Sequence, residues 1–538
     1  MLVVTSITIE GKPVKQFRML TLTQGIFAHH TFQLTCPVEA IDRKEGTIFN
    51  NSASWIGASI QMEIRRDGAA EALQFHGLIN QITTDKQNGY AGDIIISGAS
   101  PTILLDAGLQ CQSWEEKTLH HIIQDILNRF PQNLLPFHIS TAVTGPLQYT
   151  VQYQETAWQF LRRLAAAHGE WLLYDGRQLL IGQPQGASHE LIYGRHLSRF
   201  NMSMQARPAD MRVFAYDPVQ YEVHVSEPDH IQSQGAQNWV HHVSEKSRLL
   251  YPASTRWQNR LMTGKKHLDD WVAMQSALQQ AQMVYCSGCS DVPALQPGNT
   301  INIKGYNVYN KLDEVYGNFI VFSVVHRCEG QGHYSNEFMA VPVSVKVPPV
   351  PFIAEPRCDT QTAIVTDNHD RQGLGRIRVR FHWMKEHEKS PWLRVASMHA
   401  GHNKGFFALP EIGEEVIVSF EGDHPGKPYV VGSVYNGHAA CAFANTTNDI
   451  KLFTTRSGNT IELNDQAGSI TIQDKNGNRM KLDGSGSLCL YANDRLVLRC
   501  GKAVIAMNKD GAITMNGKEI AVLANGDVKV QGTTIRLN

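Results

Sequence analysis

The chain reads as a mainly β, multidomain protein. Its N-terminal part is strand-rich and barrel-like with α/β insertions, a small OB-fold barrel follows, and a C-terminal β-prism or β-helix needle closes the chain as a trimer. Three observations carry this. Ten apolar i, i+2 pairs recur from Ile461 onward with almost nothing between them but turns. Five short alternating runs separated by glycines occupy roughly residues 364–435. Alternating runs also dominate the first hundred residues, before two helical patterns interrupt them.

In the C-terminal series the pairs are Ile461/Leu463, Ile470/Ile472, Met480/Leu482, Leu488/Leu490, Leu496/Leu498, Ile505/Met507, Ile513/Met515, Ile520/Val522, Val528/Val530 and Ile535/Leu537. First members lie 7 to 10 residues apart, most often 8. The residue inside each pair is usually polar or small, such as Glu462, Thr471, Lys481, Thr514 and Lys529. Period-two alternation places each pair on one face of a strand. Gly468, Asn476-Gly477, Gly486, Asn516-Gly517 and Asn525-Gly526 supply turns. Such a narrow meander has one apolar face, open edges and no following segment in this sequence to cover it. Repeats of this kind close a core against stacked neighbours or partner chains. The simplest closure is three identical ribbons about a threefold axis, forming a needle on the order of 50 Å long at ~4.8 Å per strand. A single-chain β-helix is the alternative, although 8 residues per repeat is short for a solenoid coil.

Residues 1–100 contain LVVTSITI, HTFQLTCPV, SIQMEIRR, LQFHGLINQITTD and AGDIIISGAS, which read as a sheet or small barrel. Leu119, Ile122, Ile123, Ile126, Leu127 and Phe130 then recur at helical spacing, with Thr118 or Ser113 as the start signal. A second helix is expected from about Ala157 to His168, with Thr156 and Gln159 as a capping box and Gly169 as its stop. Trp271 to Val284 looks helical, and LQPGNTINIKG, GNFIVFSVVHRCEG and NEFMAVPVSVKV return to strand. Pro348, Pro349 and Pro351 mark a stiff boundary. The expected division is therefore 1–350, with a helical α/β insertion near 101–185, then a barrel module over 351–440 and a needle over 441–538. In the module, TAIVTD, GRIRVRFHW, PWLRVAS, EEVIVSF and PYVVGSVY fit an OB-type barrel. Arg376, Arg378 and Arg380 alternate on one strand, a pattern that reads as structural or interfacial rather than as a nucleic-acid face.

Bulk composition excludes several classes. The 538 residues hold 49 Lys plus Arg against 50 Asp plus Glu, a net charge of −1, so no basic field argues for nucleic acid or an anionic membrane. No run approaches the ~18 apolar residues of a spanning helix. The start, MLVVTSITIEGKPV, lacks the features of a signal peptide, so export would use a route that does not read one. Nine scattered cysteines suggest a reduced chain. Cys286 and Cys289 form the only tight pair and read as loop cysteines without a metal role, because no second knuckle follows. Cys489 should face away from the needle core. His399 and His402 lack a third ligand, and Ser97 and Ser100 lack a nucleophile elbow, so no catalytic, cofactor or metal residue is assigned.

Several stretches in this order carry a resemblance: YQETAWQFLRRLAAAHGEWLLYDGRQLLIG (153–182), LQPGNTINIKG (295–305), DNHDRQGLGRIRVRFHW (367–383), ALPEIGEEVIVSFEGDHPGKPYVVGSVYNG (408–437) and SGNTIELND (457–465). Over nearly its whole length the chain resembles VgrG, the spike protein of type VI secretion, and equally the fused hub and spike of contractile phage tails. The resemblance implies a homotrimeric spike with two similar barrels per chain, six around the axis. Such a spike docks a ring of hexameric Hcp-type tube protein at the N-terminal end and forms an OB collar. A PAAR-type cone caps its needle. Baseplate proteins and effectors are further implied partners, with transient passage through a target membrane. Assembly would be cytoplasmic, followed by ejection without a signal peptide. Unlike longer members, the sequence shows no enzymatic extension. A phage-tail or extracellular-injector spike is the alternative, and a polysaccharide-degrading spike enzyme the remote one. The expected trimer core comprises Ile461, Leu463, Ile470, Ile472, Leu488, Leu490, Leu496, Leu498, Ile513, Met515, Val528, Val530, Ile535 and Leu537. The expected tip platform is Thr533, Thr534, Ile535, Arg536, Leu537 and Asn538.

Overall fold

A computed structural model describes residues 2–41, 52–69, 71–85, 92–228, 239–307, 309 and 311–536. It divides into two compact units, 1–434 and 435–538.

The first unit is built on strands β1 (Val3–Ile9), β2 (Met19–Gly25), β3 (Thr31–Pro37), β4 (Ser59–Arg66), β5 (Ala72–Asp85) and β6 (Asp93–Ala99). Strands β7 (Ser188–Ile192), β8 (Leu197–Met204), β9 (Val284–Ser290), β10 (Thr300–Asn307), β11 (Leu312–Glu329) and β12 (Tyr334–Pro342) complete the same sheet. Its order is β8-β9-β12-β11-β2-β3-β6-β5-β4-β1, with β10 also on β11 and β7 on β10. The long β11 belongs to both halves. Its first part pairs with β10, its last part with β2, and β12 runs beside it on the other edge. On one side the Val3 N–H donates to the Gly332 carbonyl (2.9 Å) and Leu2 bridges His333, so β1 returns to the β11–β12 turn and closes a barrel. On the other, a tight turn with a Tyr193–Leu197 bridge joins β7 to β8.

Alternation fills each half. Ile60, Met62 and Ile64 of β4 and Leu73, Phe75 and Ile79 of β5 point into the first core. Ile301, Ile303, Phe319, Val321 and Phe338 fill the second. The sequence reading missed β2, and its inward set shows why: after Leu20 and Leu22 comes Gln24, fully buried but polar, so the apolar run is short. Gln24 belongs to a buried polar chain between the halves. His326 Nε2 lies 3.0 Å from Gln24 Oε1, and its Nδ1 lies 2.7 Å from the Tyr334 hydroxyl. The Gln24 amide is 3.3 Å from His30 Nδ1, and the Asn336 amide donates to the Tyr334 hydroxyl at 2.8 Å. Burial pushes both His30 and His326 down to about 3, so both are neutral at pH 7.

Helices α1 (Leu119–Leu127) and α2 (Ala157–Ala167) sit in the expected insertion and share one core. Thr118 caps α1 by accepting from the His121 N–H at 3.2 Å, while Ser113 lies in a strand. The Thr156 hydroxyl accepts from the Gln159 N–H (3.1 Å), and the Gln159 side chain accepts from the Thr156 N–H (3.0 Å). Gly169 takes φ +67°, and a Cβ there would lie 2.3 Å from Met274 Sδ, so the stop at the end of α2 needs glycine.

In a second insertion α3 (Trp239–Leu250) packs through Val243 on Met283 and Val284 at the start of β9, while α4 (Gly264–Gln280) lies against a three-stranded sheet. The helix expected at 271–284 therefore starts at Gly264 and ends at Gln280, and Val284 already belongs to β9. The α3 helix was not anticipated, because its buried positions are Val243, Ser244 and Ser247, two of them serines. Cys286 and Cys289 are not loop residues. They lie in β9, Cys286 fully buried with its thiol pushed up by burial, and their i, i+3 spacing sends them to opposite faces.

The barrel module comprises β13 (Gln361–Asp367), β14 (Arg378–Phe381), β15 (Glu415–Phe420) and β16 (Pro428–Ser433), in the order β14-β13-β15-β16. PWLRVAS forms no continuous ladder. It closes the barrel through two isolated bridges, Ile377–Leu393 and Val395–Val430. Ala363, Val365, Ile377, Val379, Phe381, Leu393, Val416, Val418 and Val430 make its core.

Candidate assembly face and tip

The second unit runs β17 (Ile450–Thr454), β18 (Thr460–Asn464), β19 (Ser469–Gln473), β20 (Arg479–Leu482) and β21 (Leu488–Tyr491) in one antiparallel meander. A second meander contains β22 (Arg495–Cys500), β23 (Ala503–Asn508) and β24 (Ile513–Asn516). Register lines the apolar pairs up across the strands. Ile461 faces Ile472 and Leu463 faces Ile470. Ile470 faces Leu482, Ile472 faces Met480, and these continue to Leu488 and Leu490. In the second meander Leu496 faces Met507, Leu498 faces Ile505, and these continue to Met515 and Ile513. Each meander therefore carries an unbroken apolar stripe two residues wide. The other face carries Glu462, Thr471, Lys481 and Cys489 in one ladder, and Val497, Ala506 and Thr514 in the next.

The apolar stripe of these strands is left largely uncovered. Ile461, Leu463, Ile470 and Ile472 are 38–44% exposed and Ile513 is 67% exposed, whereas Ser469 and Ala506 are buried. A one-layer sheet has no opposite layer to cover its apolar side, so the hydrophobic contribution of these residues is largely unrealised within one chain. Phe453 of β17 also joins the stripe, opposite Ile461; the pair rule missed it because its i−2 neighbour there is Lys451.

The repeat extends in sequence beyond β24, but the structure shows no strand between 517 and 536 among the described residues. Ile520, Val522, Val528, Val530 and Ile535 are exposed there. Gly517, Gly526 and Gly532 break the stretch into pieces with only two or three large apolar residues each, too few for an isolated hairpin to hold itself. Of the proposed tip, Thr533, Thr534, Ile535 and Arg536 are exposed, while Leu537 and Asn538 lie outside the described residues.

The arginine stripe on β14 and just before it is largely neutralised. Arg376 donates to both Asp370 oxygens (2.8 and 3.0 Å), which holds that carboxyl down to about 2. Arg378 donates to both Glu115 oxygens, each at 2.9 Å, and ties the barrel module to the α1 insertion. Arg380 donates to the Glu386 carbonyl. His399 and His402 sit in an exposed hairpin, and no group of three metal-ligating side chains occurs among the described residues. No helix among them is long and apolar enough to cross a membrane.

Residues 32–332 match the phage tail baseplate hub (GPD) family, and residues 361–435 match the type VI secretion system/phage-baseplate injector OB domain. The chain belongs to the phage tail baseplate hub family. This hub protein is similar to the type VI secretion system spike protein VgrG1a of Pseudomonas aeruginosa, at 22% identity over 90% of this chain and 87% of that one. Its fold is similar to that of the E. coli c3393 protein, described as a type VI secretion component resembling T4 bacteriophage tail proteins gp27 and gp5 (TM-score 0.51, 16% identity, 80% of this chain and 99% of that one). It is also similar to a chain of the Francisella PdpA–VgrG complex in its lidded form (TM-score 0.57, 8% identity, 96% of this chain and 80% of that one). The resemblance to VgrG spikes read from sequence motifs thus recurs in family, relatives and fold.

Proposed function

We propose that this hub-family protein is the structural spike at the tip of a contractile injection machine and works as a homotrimer. The observation that supports this reading most strongly is the uncovered apolar stripe of β18–β24. Two registered apolar stripes lie largely uncovered in a single chain, while the opposite ladders are mostly small or polar apart from Val497 and Val504. Three such ribbons around a threefold axis cover one another's stripes. Burying the exposed half of each large side chain contributes roughly 1 kcal/mol per residue as an upper bound.

The first unit fits the same symmetry. Two barrel halves share β11 in each chain, so three chains present six. Six is the number that a hexameric tube ring of the Hcp type requires where two cyclic assemblies meet on one axis. A PAAR-type cone on residues 533–538, baseplate partners, effectors and ejection without a signal peptide belong to this proposal. In it the protein transmits force and presents cargo, and performs no reaction. A phage-tail hub and spike uses the same faces, as the description of the matching OB domain already joins both machines.

Removal of residues 446–538 tests the reading. The shortened chain is expected to sediment as a monomer or to dissociate readily. A shortened chain that stays trimeric with unchanged melting overturns the role given to the stripes. For the tip, a cognate cone protein is expected to be recovered by the full chain and lost on deletion of 533–538. Equal recovery removes that seat.

A further inference from the structure

In five-stranded barrels of the OB type, ligands sit on strands 2 and 3 beneath the loop that joins strands 1 and 2. In this chain that loop is 368–377, strand 2 is β14, and the bridging segment 391–397 takes the place of strand 3. A cleft of about 450 Å³ opens at this position, with Asp367, Arg371, Gln372, Arg378, Lys389 and Trp392 in its walls.

The charges at its base are already paired. Arg376 is held by Asp370 and Arg378 by Glu115. The Arg378 guanidinium also lies over one face of the Trp392 ring, 5.0 Å from its centroid. Arg371 and Lys389 are different. Both are exposed, and neither has a hydrogen-bond or ion-pair partner among the described residues. Gln372 Oε1 accepts from the Arg376 guanidinium (2.8 Å), and its side-chain amide donors remain available. Asp367 uses Oδ1 on the His369 N–H (3.0 Å). The cleft therefore offers an aromatic wall, two unspent cations, amide donors and a carboxylate acceptor.

We propose that this cleft binds an acidic saccharide, a sugar ring carrying a carboxylate or a phosphate. The apolar face of a sugar ring suits the Trp392 wall, Arg371 and Lys389 suit the anionic substituent, and Asp367 with Gln372 suits hydroxyls that both donate and accept. The four arginine and lysine side chains face three carboxylates once Glu115 is included, which leaves a surplus of one positive charge. That surplus matches one anionic group per ring. A single-stranded nucleic acid needs a series of stacking platforms and a larger positive field, and one tryptophan in this balance supplies neither.

The test uses the full chain and ligand-observed saturation-transfer NMR. The probes are trigalacturonate, its methyl ester, a sugar phosphate and an oligothymidylate. Trigalacturonate or the sugar phosphate is expected to bind saturably, and whichever binds tighter identifies the anionic group. The neutral ester is expected to bind at least tenfold more weakly. The Arg371→Ala/Lys389→Ala double variant, exposed at both positions and checked for unchanged melting, is expected to lose binding tenfold or more. Trp392→Phe, which keeps a ring, is expected to weaken it less. Absence of binding by either acidic sugar overturns the proposal. So does equal binding of the ester, an undiminished double variant, or oligothymidylate binding tighter than both sugars.

Discussion

Ile513 and Thr514 are neighbours in β24 that face opposite ways, since Ile513 pairs with Met507 on the apolar stripe and Thr514 with Ala506 on the other ladder. In the proposed trimer, Ile513→Asp places three carboxylates near one axis, where desolvation and mutual repulsion add. Thr514→Asp places one charge per chain in water. The first is expected to lower the trimer's melting temperature by many degrees and the second to change it little. Similar losses from both would mean the register is wrong, because a one-residue slip swaps the faces. A second expectation concerns Asp370. Its carboxyl has a lower pKa folded than unfolded, so its contribution to stability is present above about pH 4 and is lost as pH falls toward about 2. Asp370→Asn, which leaves Arg376 without its carboxylate, is expected to cost about 1.5–3 kcal/mol in denaturant unfolding of the first unit. The sequence made Arg376, Arg378 and Arg380 visible as a stripe. It could not show that Glu115 neutralises Arg378, because Glu115 lies 263 positions away and meets it only through the fold.

Local chemistry made α2 readable in full. Its capping box, apolar face and glycine stop all lie within a few residues of one another, and the structure has each of them. Thr156→Ala is expected to cost about 1 kcal/mol, measurable as a shift in the unfolding midpoint at unchanged slope. Elements with polar inward faces were less visible. The α3 helix buries serines, and β2 buries Gln24, so neither shows the apolar period that announces an element. The β2–β11–β12 seam has its own signature. His30 and His326 are depressed from 6.5 to about 3 when folded. Between those values the unfolded chain binds protons that the folded chain does not, so stability falls as pH drops from about 6.5 toward 3. His326→Gln is expected to flatten this slope in melting curves recorded across that range. An unchanged slope would show that His326 is not the group that resists protonation.

Long-range order is where the sequence said most about one end and least about the other. The C-terminal repeat disclosed its register because every strand carries the same apolar pair, and the pairs do meet across β18–β24. The sharing of β11 by two barrel halves rests on pairings hundreds of residues apart, which periodicity does not encode. The pairs from Ile520 onward read as strands, but no ladder forms from 517 to 536 among the described residues, and Ile520, Val522, Val528, Val530 and Ile535 stay exposed. Uncovered apolar residues of this kind are also the reason for expecting three chains. Sedimentation equilibrium of the full-length protein at micromolar concentration tests it most directly. A single species at three times the 60.0 kDa chain mass is expected, and a stable, compact 60.0 kDa monomer would contradict the account.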